Sequence, residues 1–158
     1  MNIMNNNAKY RRICHIFDLT DELMIKVFSL GGLKVDRSQV CDWRKKEDDE
    51  EYAVLSDKDM GIFLNGFITL KRGKKDGPAP QPDKYMNNNI ILRKLKIALN
   101  LKSEELVEVF KLGGTEITEN VLSSFFRKKD HKQYKGCKDQ TIRDLFRGLQ
   151  AREKKEDN

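Results

Sequence analysis

Val27-Phe28-Ser29-Leu30-Gly31-Gly32 is followed, 82 residues later, by Val109-Phe110-Lys111-Leu112-Gly113-Gly114. Working outward at the same offset, Met4-Asn5-Asn6-Asn7 returns as Met86-Asn87-Asn88-Asn89. Arg11, Leu19 and Glu22 meet Arg93, Leu101 and Glu104, and Lys46, Asp48, Tyr52, Asp57 and Gly66 meet Lys128, Asp130, Tyr134, Asp139 and Gly148. Residues 4–73 are thus written a second time at 86–155 without a gap, the mark of a duplicated folding unit. A unit of about 70 residues sits near the lower limit for folding alone, so the two are expected to pack together about an approximate twofold axis, with a groove between them.

Apolar residues recur at spacings of three and four in both copies, and no alternating strand pattern occurs, so the chain reads as all-α with four helices per unit. The asparagine run caps the first helix, which carries Tyr10, Ile13, Cys14, Ile16 and Phe17, or Leu92, Leu95, Ala98 and Leu99. The second starts near Thr20-Asp21 or Ser103 and stops at the paired glycines, read as a left-handed C-cap. A short third helix has Val35, Val40 and Trp43, or Ile117, Leu122 and Phe125, as its buried set. The fourth starts with Ser56 and Asp59 at capping-box spacing, or with Asp139, and Asp57 and Asp139 read as caps. Gly66 and Gly148 fall inside this last helix, where Gly costs on the order of 1 kcal/mol relative to Ala, so a close helix crossing is expected there. Residues 74–85 hold all three prolines, Pro78, Pro80 and Pro82, and read as an extended, stiff spacer.

The net charge of +6 is uneven. Residues 4–73 carry 12 Lys/Arg against 12 Asp/Glu, residues 74–85 carry 3 against 2, and residues 86–158 carry 16 against 11, so the basic excess belongs to the second half. Part of that excess, Arg147, Arg152, Lys154 and Lys155, suits a helix C-terminus for purely structural reasons. No run approaches the roughly 18 apolar residues of a membrane span, which leads to the expectation of a cytoplasmic protein without membrane contact. Cys14, Cys41 and Cys137 are odd in number, lack a paired spacing and do not coincide between copies, so they read as small apolar residues.

Chemistry-bearing residues are sparse. His15 and His131 occupy non-equivalent positions, and Glu47-Asp48-Asp49-Glu50-Glu51 lacks the spacing of a calcium loop, so no metal or cofactor is expected, and His131 and the acidic run read as solvated turns. The polar residues that recur are the candidates for a repeated binding surface: Arg11, Lys46, Asp48 and Tyr52 with Arg93, Lys128, Asp130 and Tyr134. The nucleic-acid alternative reads the second and third helices as a helix-turn-helix, with Arg37, Gln39, Arg44 and Lys45 in one copy and Arg127 and Lys129 in the other. Against it, the turn is longer than usual, an acidic run follows, and Glu119, Asn120, Ser123 and Ser124 of the second copy make no basic face.

Several pieces together resemble the YehS-like family of small bacterial proteins, a domain of unknown function. They are Asn5-Asn6-Asn7 and Asn87-Asn88-Asn89, Leu-Gly-Gly at 30–32 and 112–114, the stretch from Trp43 to Asp49, Phe63-Leu64-Asn65-Gly66-Phe67 to Lys71-Arg72-Gly73, and Phe146-Arg147-Gly148-Leu149 to Ala151-Arg152-Glu153. The resemblance implies a bacterial cytosolic protein of tandem helical units and carries over no catalytic residue. Taken together, the residues point to a non-enzymatic binding or adaptor module with a protein partner, nucleic acid being the runner-up and an enzyme with an unrecognised site third.

Overall fold

The computed structural model describes residues 3–78 and 80–156. The first four helices are α1 (Asn6–Ile16), α2 (Asp21–Leu30), α3 (Arg37–Arg44) and α4 (Asp57–Arg72). They are followed by α5 (Asn88–Ala98), α6 (Ser103–Leu112), α7 (Glu119–Phe126) and α8 (Asp139–Glu156). No strand occurs among the described residues. The chain divides into two compact units, Met1–Met86 and Asn87–Asn158, each with four helices. Residues 73–78 and 80–87 form no helix, as their prolines demand, but the far end of this segment belongs to the first unit. Asp83 lies against Gly61, and the Met86 amide donates to the Asp57 carboxylate at 3.1 Å.

Helix starts follow the local chemistry of each copy. Asn5 and Asn87 accept from the amides of Ala8 (2.8 Å) and Ile90 (2.9 Å), and the hydroxyls of Thr20, Ser56 and Thr118 cap α2, α4 and α7 in the same manner. At α3, Asp36 and Gln39 form a reciprocal capping box. At α6 the cap position is Lys102, one residue before Ser103, and Glu105 reaches back to the Lys102 amide at 3.0 Å. Asp57 is the first residue inside α4 rather than its cap, which is Ser56.

The two glycines of each Gly-Gly pair have different tasks. Gly32 and Gly114 take the left-handed conformation, with φ of 98° and 89°, whereas Gly31 and Gly113 remain at φ of −82° and −84°. A Cβ on Gly31 would overlap the Ile62 carbonyl of α4, and one on Gly113 would lie 2.7 Å from the Gly148 amide of α8. Gly66 and Gly148 answer from the other side: a Cβ there would overlap the carbonyls of Val27 and Val109. The expected close crossing is therefore made between α2 and α4, and again between α6 and α8.

Over these crossings lie the two cores. In the first unit Tyr10, Phe28, Trp43 and Phe63 pack as a ring cluster, Tyr10 edge-on to Phe63 at 4.9 Å and Phe28 5.0 Å from Trp43. In the second unit the same four positions hold Leu92, Phe110, Phe125 and Leu145, all buried. Each such side chain contributes roughly 1.5–3 kcal/mol by leaving water, so the copies share one packing scheme while differing in how aromatic it is.

Candidate functional site

The segment between α3 and α4 has no regular structure, and the asparagine run holds it in place. Asn7 donates its amide hydrogens to the carbonyls of Trp43 (3.0 Å) and Ala53 (2.7 Å) and accepts from the Leu55 amide at 2.9 Å. Asn89 repeats this with Phe125 (3.1 Å), Lys135 (2.8 Å) and Cys137 (2.8 Å). One residue earlier, Asn6 donates to the Leu55 carbonyl and the Asp57 carboxylate, and Asn88 to the Cys137 carbonyl and the Asp139 carboxylate. Only the first asparagine of each run is a helix cap; the other two clasp the start of one helix to the entry of another. The signal for this clasp was the recurrence of all three asparagines, more than one cap requires.

On this clasped segment the structure gathers Arg11, Lys46, Asp48 and Tyr52 around one pocket of about 390 Å³, together with Ile3, Asn5, Asn7, Ala8 and Glu47. Arg11 donates to the carbonyls of Arg44 and Lys45, both at 3.2 Å, so one guanidinium covers the C-terminal end of α3 and lines the pocket. Asn5 donates to the Glu47 carboxylate at 2.7 Å and to the Tyr52 hydroxyl at 3.4 Å. In the second unit Arg93, Lys128 and Asp130 are exposed and Tyr134 is half-buried.

A second cleft, of about 720 Å³, shares Arg11 and adds Cys14, His15, Asp18, Leu19, Thr20, Cys41, Arg44 and Lys45. Cys14 and His15, adjacent on α1, both line this cleft. Burial pushes the Cys14 thiol up to about 12 and the Tyr10 hydroxyl well above its ordinary range, which keeps both protonated around the Met24 sulfur that each contacts. Burial by itself would lower the Arg44 pKa, but the hydrogen bond to Cys41 and the Asp21 carboxylate outweigh it and hold that group above its ordinary value. The second unit lacks this cleft chemistry at the matching positions. Lys96 replaces Cys14, Phe126 replaces Arg44, and the ammonium stacks over the ring at 5.3 Å.

The residues of the helix-turn-helix alternative in the first unit are engaged locally. Arg37 pairs with Glu22, Arg44 with Asp21, and Lys45 with Asp42 at 2.9 Å, while the Gln39 side chain accepts from the Asp36 amide. The Asp42 contact is also what raises the Lys45 pKa. Residues 31–36 separate α2 from α3, longer than the three or four of a usual helix-turn-helix. Arg127 and Lys129 of the second unit are exposed. His131 accepts from the Gln133 amide at 3.0 Å and so shapes its own turn, and in the acidic run Asp49 does the same for the Glu51 amide at 2.9 Å. Among the described residues, no group of three or more His, Cys, Asp or Glu side chains is placed to hold a metal, and no helix is long and apolar enough to cross a membrane.

Fold and site together define a tandem helical protein in which each unit ties its α3–α4 type segment down with an asparagine clasp. The chain belongs to the family described as "Protein of unknown function (DUF1456)", which matches residues 6–73 and 88–155. It is similar to the uncharacterized protein YehS of Escherichia coli (strain K12), with 32% identity over 151 residues, 95% of this chain and 97% of that protein. No solved structure matches it.

Proposed function

We propose that this is a non-enzymatic, cytosolic binding module that engages a protein partner through α1 and the clasped segment between α3 and α4. The observation that carries the reading is the convergence of Arg11, Lys46, Asp48 and Tyr52 on one pocket. These residues recur at one offset in the sequence. A bidentate-capable guanidinium, a half-buried tyrosine and mixed charges are the components of protein contact sites rather than of phosphate tracks. The clasp adds to this, because a loop already held by hydrogen bonds loses little further freedom on binding. The pairing of Arg37, Arg44 and Lys45 with carboxylates weighs against nucleic acid.

The test is affinity capture from a nuclease-treated Escherichia coli lysate, with the native chain beside a Tyr52→Ala, Lys46→Glu variant. A partner retained by the first and lost by the second is the expected result. Identical captures from both chains, or binding that vanishes with nuclease, would remove this reading.

A further inference from the structure

The turns at 46–52 and 128–134 are the same structure carrying opposite charge. Backbone hydrogen bonds match one for one. The Asp49 amide bonds to the Lys46 carbonyl at 2.9 Å and the Tyr52 amide to the Asp49 carbonyl at 3.1 Å; the His131 amide bonds to Lys128 at 2.9 Å and the Tyr134 amide to His131 at 3.0 Å. Lys, Asp and Tyr are retained at the framing positions 46, 48 and 52 and again at 128, 130 and 134. What differs is confined to the four residues between them. Glu47, Asp49, Glu50 and Glu51 become Lys129, His131, Lys132 and Gln133, and all eight are exposed. One lysine against five carboxylates gives the first turn a formal −4, and three lysines against one aspartate give the second +2.

A conserved frame with inverted charge is the pattern of two faces made for each other. We propose that the partner of this surface is a second copy of the chain: the acidic turn of one molecule docks on the basic turn of another, and the reverse, in a closed, isologous dimer. The proposal rests on the reading of this segment as a protein contact surface and names its partner. Twofold pairing uses both turns of both molecules, so no charged turn is left over to extend the contact into a chain of copies. Charges of this kind orient an encounter and hold it weakly, and salt screens them over about 10 Å at 0.1 M and about 3 Å at 1 M.

Sedimentation of the nuclease-treated full chain tests this. The expected result is a dimer at low ionic strength that reverts to monomer as salt rises toward 1 M. Glu47→Lys, Glu50→Lys, Glu51→Lys makes both turns basic, and Lys129→Glu, Lys132→Glu makes both acidic. Each variant alone should be monomeric, and an equimolar mixture should recover the dimer, which neither misfolding nor a contact within one chain would produce. A native chain that stays monomeric at low salt, a dimer indifferent to salt, or a mixture that fails to associate overturns the proposal. If self-association fails while Tyr52-dependent capture of another protein persists, the binding-module reading stands without it; a dimer with no such capture separates the two in the other direction.

Discussion

Asn7 shows what a single side chain does in this protein. Its three hydrogen bonds satisfy the Trp43 carbonyl at the end of α3 and the Ala53 carbonyl and Leu55 amide of the irregular segment that follows. Asn7→Ala leaves those groups unpaired, so we expect a loss of about 3 kcal/mol or more in urea unfolding, with a matching loss for Asn89→Ala. Asn5→Ala, which removes mainly a helix cap, should cost closer to 1 kcal/mol. Cys14 gives a prediction in pH. Its folded thiol keeps its proton to about 12, against an ordinary value of 9.0, so between those values unfolding releases a proton that the native state retains. Its contribution to the stability of the first unit is therefore full at neutral pH and is lost as pH climbs from about 9 toward 12. A Cys14→Ala variant should show a shallower fall in urea midpoint across that window. At this scale the sequence revealed which residues mattered and not what they touched. The asparagines stood out because they recurred, but the partners they clasp lie 36 to 51 residues away and no local pattern encodes them.

Helices were the legible part. Spacings of three and four, the Asn5, Asn87, Thr20 and Ser56 caps and the Gly-Gly stops were readable, because each depends on residues within one turn of itself, whereas Asp57 and Asp139, read as caps, are the first residues of α4 and α8. A close crossing at Gly66 was also readable, since a glycine inside a helix is costly unless something needs the space, but that α2 makes it was not. The division of labour within each Gly-Gly pair was not readable, because close approach of a distant helix leaves no mark beside the glycine that permits it. It has a measurable consequence. Gly66→Ala would drive a methyl group into the Val27 carbonyl and should cost more than about 3 kcal/mol or prevent the first unit from folding. Gly32→Ala meets no atom and should cost only the roughly 1–2 kcal/mol of a left-handed alanine. Thermal melts of the two variants in parallel distinguish the roles.

Across the whole molecule, duplication has preserved a scaffold and released its surface. Each unit has its own capped helices, glycine crossing and buried core, and we expect segments 1–86 and 87–158, produced separately, each to give a helical circular dichroism spectrum and a cooperative melt. The surfaces have drifted apart: a cleft lined by thiols and arginine in one unit is a lysine–phenylalanine stack in the other, and the acidic turn of the first unit corresponds to a basic turn in the second. The asparagine clasp also sets an order in time. Because it joins the first turn of α1 to residues more than 35 positions later, it closes a long loop that encloses α2 and α3, and we expect it to form only after those helices have assembled. The clasp should then be absent from the folding transition state. Asn7→Ala would speed unfolding while leaving the refolding rate nearly unchanged, so the clasp acts as a latch that sets how long a folded unit lasts rather than how fast it is made.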